Sequence, residues 1–181
     1  MRRIFISFHQ ADVDEVGELI RTLTPYFDEV RTLGASEFGS DLDERINSGD
    51  AEYVMRQIRE RYISGTTCTI VAIGQCTWAR RYVDWEIAAT MRNNANDPRG
   101  GVFAMQLPSA QRLGHQQLPD RIHQNINWDA NSNQSGYARF LPPLAPSAVK
   151  SEVEAAITRA TTIEPAVGSL VGLRKQSAPC P

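Results

Sequence analysis

The sequence contains few cysteines and lacks a long hydrophobic run. Its three cysteines, Cys68, Cys76 and Cys180, are odd in number and have no C-x-x-C spacing, a pattern that favours neither a disulfide framework nor a zinc site. No apolar stretch approaches the roughly 20 residues of a transmembrane helix, and the apolar residues after Arg2 and Arg3 are too few for the core of a signal peptide. We therefore expect a reduced, cytoplasmic protein that does not enter a membrane.

An excess of charge of one sign is missing as well. The chain carries 19 Lys and Arg residues against 21 Asp and Glu residues, a formal net charge of -2. This balance argues against a nucleic-acid partner and against a polybasic membrane patch. With 181 residues, the chain is long enough for one domain with a hydrophobic core and too short for two full-sized enzymatic domains.

Apolar runs of β-forming residues recur over residues 3–107, and stretches with helical spacing separate them. Parallel strands are joined by crossovers that need a covering helix. The alternation therefore predicts a doubly wound α/β fold, with a mainly parallel sheet of about five strands and helices on both faces. The predicted strands are Arg3–Phe8, Phe27–Leu33, Thr67–Ile73 and Val102–Leu107.

Polar residues mark the starts of two predicted helices. Asp12 is expected to cap a helix that begins at Val13, and Thr77 to cap the helix that carries R-R-Y-V-D-W-E-I. Apolar spacing predicts a further helix over 51–62. The polar, glycine-containing segment 34–50 before it is expected to be a mobile loop.

The last third of the chain is less regular. Asn, Gln, Ser and Pro are frequent over 108–147, which predicts a long connection with one edge strand. Helical spacing returns over 149–160 and then ends. We therefore expect one domain over 1–162, with an irregular insertion at about 108–147, followed by a flexible C-terminal tail over 163–181.

One acidic residue, Glu86, lies in an apolar helical segment without a cation at helical spacing. Its neighbours one turn away are Tyr82, Val83, Ala89 and Thr90. One interpretation is a carboxylate at the rim of the apolar stripe that reaches water or an arginine from elsewhere. The other is a carboxylate in a partly dry pocket, where a low dielectric strengthens its interaction with a developing cation or with sugar hydroxyls.

Asp84, on the same predicted helix, has a simpler interpretation. Arg80 and Arg81 precede it by four and three residues, so a solvated ion pair accounts for its presence. All three side chains are expected to lie on the surface.

The ends of two predicted strands place Glu86 near a typical ligand site. In doubly wound sheets, ligands bind beyond the carboxyl ends of the strands, where the strand order reverses between the first and third strands. Those ends are S-F-H at 7–9 and G-Q at 74–75, and the helix with Glu86 follows the second. His9 as a general base and Cys76 as a nucleophile both lack an assignable partner in the sequence.

Two common occupants of this fold are not supported. A phospho-acceptor domain needs an aspartate at the end of the third strand, where this chain has Gly74 and Gln75. The sequence also contains neither a Walker loop nor a G-x-G-x-x-G fingerprint, which would supply backbone donors to phosphates.

Two segments are similar to a known family. R-I-F-I-S-F-H-Q-A-D (Arg3–Asp12) and I-G-Q-C-T-W-A-R-R-Y-V-D-W-E-I (Ile73–Ile87) resemble the TIR-like domain of ThsB proteins from the bacterial Thoeris anti-phage system. The resemblance covers residues 1–107 and is weaker in the later region, where G-Y-A-R-F-L-P-P (Gly136–Pro143) is similar in kind. It implies a TIR or flavodoxin-like fold, with Gly74 where the family often has a polar serine.

The resemblance also implies an activity. It implies an enzyme that cleaves the N-glycosidic bond of NAD, with Glu86 as the essential glutamate, and that forms a cyclic ADP-ribose isomer sensed by a separate effector. NAD is then the substrate, and neither a cofactor nor a metal is expected. A phage protein as trigger and self-assembly are further expectations. The residues implied to bind NAD are Ser7, Phe8, His9, Gly74 and Tyr82, with Phe8 and Tyr82 stacking on a ring and segment 34–50 as a lid.

Two other functions stay open at this point. One is a non-catalytic TIR-like module, in which the helix aromatics form an assembly surface and Glu86 is an incidental charge. The other is a plain NAD hydrolase that releases linear ADP-ribose.

Overall fold

A parallel sheet forms the centre of the protein. The computed structural model describes residues 2–33, 51–93, 98–114, 116–166 and 178–180. The strands are β1 (Arg3–Ser7), β2 (Glu29–Thr32), β3 (Cys68–Ile73), β4 (Gly101–Gln106) and β5 (Phe140–Leu141). They form a five-stranded sheet of order β2-β1-β3-β4-β5, and every pairing is parallel. The order reverses between β1 and β3, which confirms the predicted doubly wound α/β fold.

Helices lie on both faces of the sheet. They are α1 (Val13–Leu23), α2 (Ala51–Ile58), α3 (Arg81–Met91), α4 (Pro108–Arg112), α5 (Asp120–Gln124) and α6 (Pro146–Thr162). Ile4 and Ile6 pack in one apolar cluster with residues of α1 and α6. Phe5 belongs to a second cluster with residues of α2 and α3. This alternation along β1 follows from the two-residue period of a strand, and it turns Ser7 toward α3.

The burial of the strands follows their sequences. All six residues of β3 and all six of β4 are buried, because their apolar runs are covered by helices on both sides. The edge strand β2 has the charged sequence E-V-R-T, and all of its residues are only half-buried.

Gly101 allows α6 to lie directly against β4. A Cβ atom at this position would come within 2.6 Å of the Ala156 backbone carbon. No side chain fits in that space without moving the helix, so the close contact between α6 and the sheet depends on glycine.

The helix predicted over 51–62 is present, but its last part is π-helical. A π-helical turn, Arg59–Ile63, follows α2, and the Ser64 N–H donates to the Arg59 carbonyl at 2.6 Å. The buried Arg59 guanidinium donates to the carbonyls of Ala89 and Arg92 at the C-terminal end of α3, both at 2.5 Å. A cation at the negative end of the helix dipole is favourable, and the Ala89 carbonyl accepts from Arg59 in addition to the Arg92 N–H.

The predicted edge strand in the 108–147 connection is confirmed as β5, which pairs with Ala104 and Met105 of β4. Gln134 fixes its start: the side-chain amide donates to the Phe140 carbonyl at 2.7 Å and accepts from the Phe140 N–H at 2.6 Å. Helices α4 and α5 were not predicted, because five residues each are too few to show helical periodicity.

The expectation that the cysteines form no disulfide is wrong. Cys76 and Cys180 are joined, with Cα atoms 5.7 Å apart, a separation that suits a disulfide. The Ala178 N–H donates to the Ala79 carbonyl at 2.9 Å beside this bridge. Spacing along the sequence could not show the pair, because the fold brings together residues that are 104 positions apart.

Several predictions concern residues outside the described part. The loop and lid predicted for 34–50 lie there, and so does most of the predicted tail over 163–181. The domain boundary at residue 162 therefore stays a prediction. Within the described residues, no helix combines the length and the apolar character needed to cross a membrane.

Candidate active site

Glu86 lies in the interior, on the side of α3 that faces the sheet. Its side chain is buried, with 1% of the residue exposed. The hydroxyl of Ser7, the last residue of β1, donates to Glu86 Oε2 at 2.5 Å. The other oxygen, Oε1, is buried and has no hydrogen-bond partner among the described residues. The interpretation of Glu86 as a rim carboxylate is therefore wrong, because the residue is buried and its carboxyl group meets no arginine in the described part of the chain.

The surroundings of Glu86 favour its neutral form. Burial raises the pKa of Glu86 to about 8, although the Ser7 hydrogen bond acts in the opposite direction. At neutral pH this carboxyl group is therefore mostly protonated. A positively charged ligand nearby would favour the ionised form, because it would supply the countercharge that the described residues do not.

Aromatic side chains lie next to Glu86 on the same helix. Tyr82, one turn before Glu86, is half-buried, and its ring meets the Trp85 ring edge-on with centroids 6.0 Å apart. The Arg81 guanidinium lies 4.8 Å from the Tyr82 centroid and 5.2 Å from that of Trp85, and it donates to the Tyr82 hydroxyl at 2.7 Å. The guanidinium thus holds both rings in place beside the buried carboxyl group.

Asp84 is not the solvated surface residue predicted from Arg80 and Arg81. It is buried, and Arg121 of α5 binds both of its oxygens, with Nε to Oδ1 at 2.9 Å and Nη2 to Oδ2 at 3.3 Å. Arg121 is itself only 2% exposed. The prediction failed because it considered only neighbours along the helix, whereas α5 supplies the buried cation from a distant part of the sequence. This pair locks α3 against α5.

Phe8 is not close to Glu86. Its side chain is buried in the cluster with Ile4, Ile6 and Val16, on the α1 side of the sheet. Since Ser7 and Phe8 point to opposite faces of the sheet, only Ser7 meets Glu86. The expected stacking of Phe8 beside Tyr82 is therefore not compatible with this arrangement.

Gly74, directly after β3, lies under the carboxyl group of Asp12. A Cβ atom at position 74 would be 2.1 Å from Asp12 Oδ2. The Gly74 N–H donates to the Thr77 hydroxyl at 2.9 Å, and this hydroxyl donates to the Ala72 carbonyl at 3.2 Å. Thr77 therefore belongs to the turn after β3 and does not cap α3, whose N-cap residue is Arg80.

Asp12 and His9 lie beyond the end of β1. Asp12 occupies the N-cap position of α1, as predicted, but its side chain makes no capping hydrogen bond. Burial and nearby Glu15 raise the pKa of Asp12 to about 6. Burial, followed by the charge of Arg80, lowers the pKa of His9, so this imidazole is neutral at pH 7. His9 Nδ1 is buried and has no hydrogen-bond partner among the described residues.

The structure thus brings some of the predicted site residues together. Ser7 and Glu86 are in direct contact, and Tyr82 lies on the same helix, whereas Gly74 lies against Asp12. From the sequence, Asp12 was expected only to cap a helix. Its position three residues after His9, within the motif Arg3–Asp12, was the signal that could have marked it as a site residue. Cys76 is excluded as a nucleophile because its sulfur is in the disulfide.

The carboxyl group of Glu86 can act on an organic substrate in several ways. Among the described residues, no group of three or more His, Cys, Asp or Glu side chains could hold a metal ion. A buried carboxyl group with one fixed and one unpaired oxygen can bind hydroxyl groups, stabilise a cation or move a proton.

Comparison with known proteins identifies one family. The family model described as "Thoeris protein ThsB, TIR-like domain" matches residues 5–112. This range contains β1, β3 and α3 and therefore Ser7, Asp12, Gly74 and Glu86. Among curated proteins, none matches the chain.

Proposed function

Since the chain belongs to the family of ThsB TIR-like domains and is a TIR-type defence module of Thoeris, we propose that it cleaves NAD and forms a cyclic ADP-ribose isomer. Nicotinamide is the second product. The observation that carries this proposal is Glu86, a buried carboxyl group with one oxygen fixed by Ser7 and the other without a partner among the described residues. Its position at the carboxyl end of β1 fits the place where this fold binds nucleotides.

The reaction breaks the bond between the ribose anomeric carbon and the nicotinamide nitrogen. Both electrons of the bond leave with the nitrogen, so nicotinamide departs as a neutral molecule and needs no general acid. Positive charge develops on the ribose, as in glycoside cleavage. The ionised Glu86 carboxylate stabilises this charge, and the positively charged nicotinamide ring of the substrate favours ionisation beforehand.

Ser7 sets the geometry of the carboxylate. Its hydroxyl occupies Oε2 and leaves Oε1 for the sugar. Because Ser7 ends a central strand, the distance from the sheet to the carboxylate is fixed by the rigid part of the fold. The aromatic ring of Tyr82 lies on the same side of α3 as Glu86.

The second step joins the freed ribose to another part of the ADP-ribose. A hydroxyl group or ring nitrogen of that part attacks the anomeric carbon, and a proton lost by an attacking hydroxyl passes to Glu86. The product has the composition of NAD without nicotinamide, whereas attack by water adds one water molecule and gives linear ADP-ribose. The cyclic product requires that water be kept from the cation.

In this proposal the product carries the signal. A separate effector that senses the cyclic nucleotide responds to it, and a phage component activates the synthase. Infected cells are therefore the appropriate setting for the test.

The test replaces Glu86 with Gln, which keeps the size of the side chain and removes the carboxylate. We expect nicotinamide release in phage-infected cells to fall about 100-fold or more, because the cation loses its partner. Glu60→Gln, at an exposed glutamate, is the matched control and should retain activity. Liquid chromatography with mass spectrometry measures nicotinamide and both ADP-ribose forms.

Three outcomes distinguish the candidate functions. Unchanged turnover in Glu86→Gln contradicts the catalytic role. Linear ADP-ribose as the only product of the parent chain refutes the cyclase step and leaves a hydrolase. An absence of NAD loss in infected cells that contain the parent chain points to a non-catalytic module.

A further inference from the structure

A second carboxyl group, that of Asp12, lies at the same edge of the sheet and has no part in the chemistry assigned to Glu86. Its Oδ2 atom is buried and has no hydrogen-bond partner among the described residues. A buried polar atom without a partner is unfavourable, so its presence needs an explanation.

The ordinary role of an aspartate at this position does not supply one. An aspartate at an N-cap normally accepts a hydrogen bond from the first turn of its helix. Asp12 makes no such bond to α1. Its carboxyl group instead lies where a Cβ atom on Gly74 would be. The side chain therefore points away from its own helix and toward the crevice between β1 and β3.

Gly74 keeps the space that this carboxyl group occupies. All three carboxyl atoms of Asp12 lie 2.1–2.3 Å from the position of a Cβ atom on residue 74. Any side chain at 74 would displace the carboxyl group. The pairing of a helix-start aspartate with a glycine after β3 is thus a specific arrangement, which holds an oxygen atom at the switch point of the sheet.

The neighbouring groups define what could bind there. His9 Nδ1 is a second buried atom to which no described residue gives a hydrogen bond. Arg80 lies close enough for its charge to act on both His9 and Asp12. Glu15 also acts on Asp12, but its carboxylate is already used by the N–H and hydroxyl groups of Ser109. Asp12, His9 and Arg80 thus offer a carboxyl oxygen, an imidazole nitrogen and a cation. This set of groups suits a sugar with an attached phosphate.

We propose that Asp12 and His9 bind the hydroxyl groups of the adenosine ribose of NAD, with Arg80 beside the diphosphate. Acidic side chains at the carboxyl ends of parallel strands recognise ribose hydroxyls in other doubly wound folds. This assignment rests on the proposed function. It gives the two carboxyl groups separate tasks, with Glu86 on the ribose that reacts and Asp12 on the ribose that must be held while the ring closes.

The test measures binding, in a background in which Glu86→Gln prevents turnover. The ligands are NAD and its analogues that lack the 2′ or the 3′ hydroxyl of the adenosine ribose, and calorimetry gives the affinities. With Asp12 present, we expect loss of one of these hydroxyls to weaken binding roughly tenfold. With Asp12→Ala, NAD itself should bind roughly tenfold more weakly, and removal of the same hydroxyl should have no further effect.

Two further variants control for general damage. Gly74→Ala should reproduce the effect of Asp12→Ala, because its Cβ takes the place of the carboxyl group. Asp14→Ala changes an exposed aspartate on α1 and should leave all affinities unchanged. Circular dichroism and thermal melting establish that each variant is folded.

Several results would overturn the assignment. Equal NAD affinity with and without Asp12 is one, and an equal penalty for the missing hydroxyl in both backgrounds is another. Nicotinamide mononucleotide lacks adenosine, so weaker binding of this probe to Asp12→Ala would place Asp12 on the reacting ribose instead. If NAD binds in an Asp12-dependent way but the parent chain never cleaves it, the proposed function fails and this inference stands.

Discussion

At the scale of single residues, folding changes the protonation of Glu86. Its ordinary pKa is 4.5, and burial raises it to about 8 in the folded chain. Between these values the unfolded chain is ionised at this position while the folded chain holds the proton. The contribution of Glu86 to the free energy of unfolding is therefore full below about pH 4.5 and is lost as the pH rises through about 8.

We expect Glu86→Gln to remove this loss of stability. Asp12 acts in the same direction, but its pKa of about 6 confines its effect to lower pH. Between pH 6 and 8, the free energy of unfolding of the parent chain should fall by at least about 1 kcal/mol relative to the variant. Urea unfolding at several pH values measures the difference, with Glu60→Gln as the control. Parallel pH profiles for parent and variant would contradict the burial of an unpaired carboxyl group.

The sequence could identify Glu86 but not all of its surroundings. The sequence of one helix is enough to show that Glu86 has no cation at helical spacing. The same segment also shows the resemblance to the family motif. The contacts of Asp12 with Gly74 and of Asp84 with Arg121 join separate elements. No local pattern encodes them, because side-chain partners across a fold depend on how the elements pack. The role of Phe8 was misjudged for a related reason: strand alternation separates it from Ser7.

At the scale of elements, the strands were easier to predict than the short helices. The runs that became β1, β3 and β4 are apolar enough to be recognised, because both of their faces are buried. Helices α4 and α5 are too short for a period of 3.6 residues to appear. Yet α5 provides Arg121, which binds Asp84 of α3, so an element that the sequence did not predict helps to position the one that carries Glu86.

We expect Arg121→Met to destabilise the fold by about 3–5 kcal/mol, because it leaves the buried Asp84 charge without its partner. Adding Asp84→Asn to this variant removes the charge and should restore part of the loss. Urea unfolding of the parent, both single variants and the double variant gives the coupling energy. Arg112→Met, at an exposed arginine of α4, controls for loss of a surface cation. A loss below about 1 kcal/mol would show that the pair does not hold α3 to α5.

At the scale of the whole molecule, the disulfide connects the end of the chain to the centre of the sheet. Cys76 follows β3 closely, and Cys180 belongs to the C-terminal segment, whose Ala178 N–H also binds the Ala79 carbonyl. The bridge closes a loop across 104 positions, which restricts the unfolded chain far more than the folded one.

Reduction of this bridge should lower the free energy of unfolding by about 2–4 kcal/mol. Thermal melting with and without a reductant measures the effect, and Cys180→Ser without reductant should match the reduced parent. The remaining cysteine, Cys68, is buried in β3, and burial raises the pKa of its thiol, so it should not interfere. Identical melting curves for the oxidised and reduced parent would contradict a stabilising bridge.

The same loop has a consequence for limited proteolysis. A single cut at any peptide bond between Cys76 and Cys180 leaves two fragments that the sulfur atoms still join. On a non-reducing gel such a nicked chain migrates as one species, and the fragments separate only after the thiols are reduced. A cut between Ser7 and Cys76, in contrast, releases β1 from the covalent segment that holds Glu86. Digestion patterns under the two gel conditions therefore map which cuts divide the candidate active site.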